Sequence, residues 1–71
     1  MSISYKKLFH LMIDKGVSNS ELMEKAQISA NIIPRMKRNC YISLETVEKI
    51  CRAMECSIDD MLEFTEDETG E

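Results

Sequence analysis

Asn31, Arg35 and Arg38 stand at i, i+4 and i+7, so on a helix they share one stripe. Ala30, Pro34 and Lys37 make an adjacent stripe with the same spacing. From Ser29 to Arg38 the chain carries three basic residues and no acid. The chemistry open to such a face is recognition rather than bond-making. An Asn amide pairs bidentately with adenine, an Arg guanidinium with guanine, and small apolar groups such as those of Ala30 and Pro34 meet a thymine methyl. On a lone helix the same face would read more simply as a solvated cationic surface, so the elements around it must decide.

What precedes the stripe is a capped helix and a corner. Ser18 followed three residues later by Glu21 is a capping box, in which side chain and backbone satisfy each other's orphan donors. This predicts a helix over 19–26. Ser29 offers an N-cap for a second helix over 30–38, and Ala26-Gln27-Ile28 leaves room only for a turn. Leu22, Ala26, Ile28, Ile33 and Met36 give the pair one common apolar seam, the construction of a helix-turn-helix. A cationic stripe on the second helix of such a unit points to DNA.

The stretch Leu22-Met23-x-x-Ala26-Gln27-Ile28-Ser29, continued by Ile33 and Met36, resembles the phage repressor and Cro-type (XRE-like) helix-turn-helix family. That family's pattern runs Leu-Ala-x-x-small-Gly-Val-Ser and then two spaced aliphatics. The segments Ser43 to Thr46 and Cys56 to Leu62 resemble its closing helices, so the similarity covers about residues 5 to 64. Three positions depart from the pattern. Gln27 stands for the usual Gly, which predicts a residue with a Cβ at positive φ. Met23 stands for Ala at the close approach of the two helices, and Pro34 falls inside the second helix, where a late helix start would accommodate it.

Periodicity supplies the remaining elements. Tyr5, Leu8, Phe9, Met12 and Ile13 form an amphipathic stripe over 4–15, with Ser2 or Ser4 as cap and Gly16 as the left-handed stop. Asn39 can end the recognition helix in the left-handed region. Ser43 caps a helix over 44–54 that turns Leu44, Val47, Ile50, Cys51 and Met54 inward. Ser57 with Asp60 opens a short helix over 58–64, with Ile58, Met61 and Leu62 inward and Phe64 near its end. The expected fold class is all-α: a compact five-helix bundle containing a helix-turn-helix, similar to the lambda repressor DNA-binding domain. One domain over 1–64 would be followed by an acidic, disordered tail over 65–71.

The net charge of −4 argues at first against a polyanionic partner, but the charge is segregated. Residues 1–40 carry seven Lys or Arg against three acids, and residues 41–71 two against ten. The local field governs docking, and the basic half holds the candidate reading helix. Lys6 and Lys7 could contact phosphate or simply be solvated. Cys40, Cys51 and Cys56 match no zinc spacing and leave one thiol over in any disulfide scheme, so they read as reduced packing residues. The single histidine, His10, has no nucleophile or carboxylate partner at helical spacing, and the two glycines make no phosphate loop. No enzyme, metal, cofactor or small-molecule ligand is expected. The start of the chain is periodic rather than continuously apolar, so no signal peptide or membrane segment is expected and the location would be cytoplasmic.

The expectation is therefore a small sequence-specific regulator of transcription that binds double-stranded DNA. Asn31, Arg35, Arg38, Ala30 and Pro34 would read bases. Ser18, Ser29, Lys37 and Tyr41 would hold phosphates, with Tyr41 alternatively packing its ring over the core. The resemblance adds Asn19 as a backbone contact and implies repression. It also implies a homodimer, with Met61, Leu62 and Phe64 as candidate contacts, although closing the core is the plainer use for them. The rival expectation is a protein-interaction module, an antirepressor or antitoxin-like adaptor, that uses the same fold without DNA.

Overall fold

The computed structural model describes residues 2–65 and orders them as β1 (Ser2–Ser4), α1 (Lys6–Lys15), α2 (Asn19–Ala26), α3 (Ile32–Lys37), α4 (Leu44–Met54), a single 3-10 turn (Ile58–Asp60) and β2 (Glu63–Thr65). The four helices are those the periodicity predicts, and their ends follow local chemistry. At the start of α2, Glu21 N–H donates to Ser18 Oγ at 3.1 Å and Ser18 N–H to Glu21 Oε1 at 2.9 Å, so the capping box is complete. Ser43 caps α4 through Thr46 N–H at 3.1 Å. Gly16 closes α1 at φ 69°. Gln27, Asn39 and Glu55 also take positive φ, at 57°, 59° and 55°, although each carries a Cβ.

The fifth helix is absent from the described residues, which corrects the five-helix reading. After the 3-10 turn the chain extends, and Ser2↔Thr65, Ile3↔Phe64 and Ser4↔Glu63 pair as an antiparallel ribbon. Seven residues are too few to repay helix nucleation unaided. Pairing with β1 instead satisfies backbone groups at both ends of the domain. Alternation is present in β1, where Ile3 is buried between the half-buried Ser2 and Ser4, and Ser2 Oγ lies 2.7 Å from Thr65 Oγ1. Thr65 is therefore part of the folded domain rather than the first tail residue. The remainder of the expected tail, 66–71, lies outside the described residues.

The core draws on every helix and on both terminal segments. Tyr5, Leu8, Leu22, Met36, Ile50, Met54 and Met61 are sealed from solvent. Tyr5 precedes α1 and its hydroxyl donates to the Cys40 carbonyl at 2.6 Å, pinning the loop after α3. Three residues expected inside are exposed. Ile13 lies one residue past Met12, about 100° further round the helix, and is off the buried stripe. Leu44 occupies the first turn of α4, ahead of the buried set that starts at Val47. Ile58 is turned outward because the 3-10 turn replaces the helix that would have carried it inward. No helix among the described residues is long and apolar enough to cross a membrane.

Candidate nucleic-acid interface

The recognition element starts later than Ser29 predicts. Ile32 N–H donates to the Ser29 carbonyl at 3.2 Å in a preliminary turn, and Asn31 holds the N-cap position without a side-chain cap bond. Ser29 Oγ instead donates to Asn31 Oδ1. The late start settles the place of Pro34. It is the third residue of α3, where a backbone N–H would have no intrahelical acceptor, so the ring deletes no helix bond. Ile33 and Met36 go into the core. Opposite them, Ala30, Asn31, Pro34, Arg35, Lys37 and Arg38 are all exposed. The structure thus brings the five base-reading candidates and Lys37 onto one open face.

Within that face the side chains are not equivalent. Arg35 donates from its guanidinium to the Tyr41 carbonyl at 2.8 Å, while its own carbonyl accepts from Cys40 N–H at 2.9 Å. Arg35 thereby ties α3 to the loop that follows it. Tyr41 keeps its ring outside, at 61% exposure, so the packing alternative for that residue does not hold. Ser18 and Asn19 are exposed at the start of α2, but the Ser18 N–H already faces the Glu21 carboxylate. For an anion there remain the Ser18 hydroxyl proton, the Asn19 side chain and the first free N–H groups of α2.

Two residues of α1 lie beside the site: Lys6, which sequence reasoning left between phosphate contact and solvation, and His10, which it did not join to the site. Lys6 and His10 share a shallow cleft with Lys37 and Asn39, so the cationic surface runs from the end of α3 onto α1. More than twenty residues separate the two groups, and no local pattern could have linked them. The same geometry separates Lys6 from Lys7. Lys7 Nζ turns away to Glu63 at 3.7 Å and to the Asp59 carbonyl at 3.3 Å. Behind the face, burial pushes the Tyr5 hydroxyl above the usual phenol range, with Cys40 and Tyr41 adding to the rise and Arg35 opposing it. Tyr5 therefore stays protonated and keeps its donor bond to Cys40.

The three dimer candidates separate. Met61 and Leu62 are buried in the domain's own core, because the chain leaving the 3-10 turn runs across it towards β1. Phe64 is 66% exposed and shares a groove with Ile58 and the edge of Leu62. Any contact at this end would be made by Ile58 and Phe64 rather than by Met61 and Leu62.

Comparison with known proteins bears on this arrangement directly. A crystal structure of the transcriptional regulator VanUg (form II) superimposes with a TM-score of 0.86 at 29% identity, covering 93% of this chain and 88% of that one. Among curated protein sequences there is no significant match. A family model for the Cro/C1-type HTH DNA-binding domain matches residues 7–67, which takes in α1 from its second residue, α2, α3 with its exposed face, α4 and β2. The chain belongs to the Cro/C1-type helix-turn-helix DNA-binding domain family.

Proposed function

We propose that this protein is a sequence-specific regulator of transcription that lays α3 in the major groove of double-stranded DNA and acts by repression. The observation that carries the reading is the open, acid-free face of α3, held at a capped helix-turn-helix corner. Arg38 reaches base edges from the end of α3, and Asn31 does so from its start by exchanging its bond from Ser29 for one to adenine, with Ala30 and Pro34 as apolar contacts. Arg35 reads a base by exchanging its bond to the Tyr41 carbonyl for one to guanine. Lys37, Ser18, Asn19, Ser29 and the Tyr41 hydroxyl hold phosphates and set the register, and Lys6 and His10 extend that hold. The family membership and the regulator VanUg as structural neighbour support the class of function.

One domain with so few cationic contacts binds weakly, so the functional unit is a homodimer on two half-sites roughly 34 Å apart. Ile58 and Phe64 are the residues best placed to join the copies. The test is selection from random duplex DNA followed by a salt titration of the winning site. An enriched, near-palindromic site whose affinity falls steeply with salt is expected. Absence of enrichment, with no binding at low salt, would overturn the reading in favour of the protein-adaptor alternative.

A further inference from the structure

Cys51 and Cys56 are five residues apart, a spacing that matches no metal motif, yet the end of α4 brings them together. Cys56 N–H donates to the Cys51 carbonyl at 3.0 Å and Glu55 N–H to the Arg52 carbonyl at 3.3 Å, with Glu55 at φ 55°. This is the Schellman arrangement, whose two outer residues ordinarily meet through apolar side chains. Here both outer residues carry thiols. A third sulfur joins them: Cys51 Sγ lies 3.8 Å from Met61 Sδ. Burial is the main cause that pushes both thiols above the usual thiol range, and each lies close enough to act on the other.

The two thiols are not sealed in, although Met61 behind them is buried. Cys51 and Cys56 line an open cleft whose rim holds Glu48, Glu55 and Asp60. Arg52, also on the rim, is paired with Glu48 at 2.8 Å, so the mouth of the cleft is anionic. Two sulfurs bound at about 2.3 Å to one ion at a trigonal angle lie roughly 4 Å apart, close to the 3.8 Å between Cys51 Sγ and Met61 Sδ. Among the described residues no group of three or more His, Cys, Asp or Glu gathers for a metal, so the four-ligand set of structural zinc is missing. Two thiolates and a thioether suit a soft monovalent ion instead.

We propose that Cys51, Cys56 and Met61 form a binding site for one soft thiophilic cation, copper(I) by chemical class. Binding releases the two thiol protons and leaves the ion trigonal among three sulfurs. The ion would fasten the end of α4 to the segment that leads into β2. The site does not depend on the DNA reading, because it shares no residue with the face of α3.

The test uses the full reduced chain under anaerobic conditions, titrated with copper(I) supplied as its acetonitrile complex. Thiolate-to-copper absorption, native mass and competition with bicinchoninate are followed. One copper per chain is expected to survive the chelator. Cys40→Ser should behave as the parent protein, since Cys40 belongs to no cluster. Cys51→Ser and Cys56→Ser should each surrender the ion, and Met61→Leu, which preserves the core, should weaken binding about 10–100-fold. Cys56 lies beyond the helix end, so Cys56→Ser carries the test if Cys51→Ser does not fold. Loss of all copper from the parent protein, or full retention by Cys56→Ser, would overturn the site. Equally tight zinc would overturn its assignment to a soft ion.

Discussion

On the proposed reading, Arg35 is the residue at which fold and recognition would compete. Its guanidinium already has a partner in the Tyr41 carbonyl, so a base contact must be worth more than the bond it replaces. Arg35→Ala is expected to cost about 1–3 kcal/mol on the selected site and to relax preference at one base pair. Arg35→Lys should not restore that preference, because an ammonium lacks the planar fork. If Arg35 only organises the loop, both variants will shift the unfolding midpoint and leave base preference intact. Lys37→Ala should instead weaken binding to all sequences and flatten the salt slope by about one unit. Gln27 sits at φ 57° against the steric preference of an L side chain. Gln27→Gly should raise unfolding stability by about 1 kcal/mol in a denaturant titration, because only glycine reaches that region without strain. An unchanged or lower midpoint would mean the Gln27 side chain contributes more than its backbone costs.

Among the elements, the terminal ribbon is the one that alters the architecture. β1 and β2 are three residues each and would not persist alone. They hold because Ile3 inserts into the core while the neighbouring Met61 and Leu62 do the same from the other side of the chain. Ile3→Ala is therefore expected to destabilise the domain by about 2–4 kcal/mol, within the range for buried aliphatic truncations. Phe64→Ala, directly opposite in the ladder but exposed, should stay within about 0.5 kcal/mol. Chemical denaturation of the two variants at one dilute protein concentration, below any self-association, checks the pair. Similar losses at both positions would mean that the Phe64 side chain is covered even in the monomer. α3 shows how brief an element can still present a surface: its six residues bury Ile33 and Met36, half-bury Ile32 and leave Pro34, Arg35 and Lys37 outside.

For the whole molecule, three weak acids are held neutral by burial, Tyr5 in the core and the half-buried Cys51 and Cys56 at its edge. Burial is the leading cause of the raised pKa at Tyr5, Cys51 and Cys56 alike. Each binds its proton more tightly folded than unfolded. Stability should therefore be level below the ordinary thiol range and fall as pH rises through about 8.5 to 10 and beyond. Urea midpoints at neutral and alkaline pH test this, and Tyr5→Phe should flatten the upper part of the decline. A midpoint that held steady into the phenol range would show that these groups titrate alike in both states. The segregated charge acts at this scale too. On the DNA reading, the exposed Glu45, Glu48, Glu55, Asp59, Asp60 and Glu63 would repel a polyanion and favour its approach to the face of α3.

The sequence by itself determined the helices that carry local signals. Ser18 with Glu21, Gly16, Asn39 and Ser43 act within one turn of chain, and the apolar spacing of α1, α2 and α4 needs no distant partner to be legible. It also determined the composition of the α3 face, since the residues opposite Ile33 and Met36 must be those between them. Tertiary structure alone decided that residues 63–65 form a strand, because the stabilising partner is Ser2–Ser4, some sixty residues away. It decided that Lys6 and His10 flank Lys37, that Arg35 reaches Tyr41, and that Met61 and Leu62 are inside. Cys51 and Cys56 fall between the two cases: their meeting is local, but it requires Glu55 to adopt positive φ, a conformation its residue type disfavours and only the packed helix end enforces.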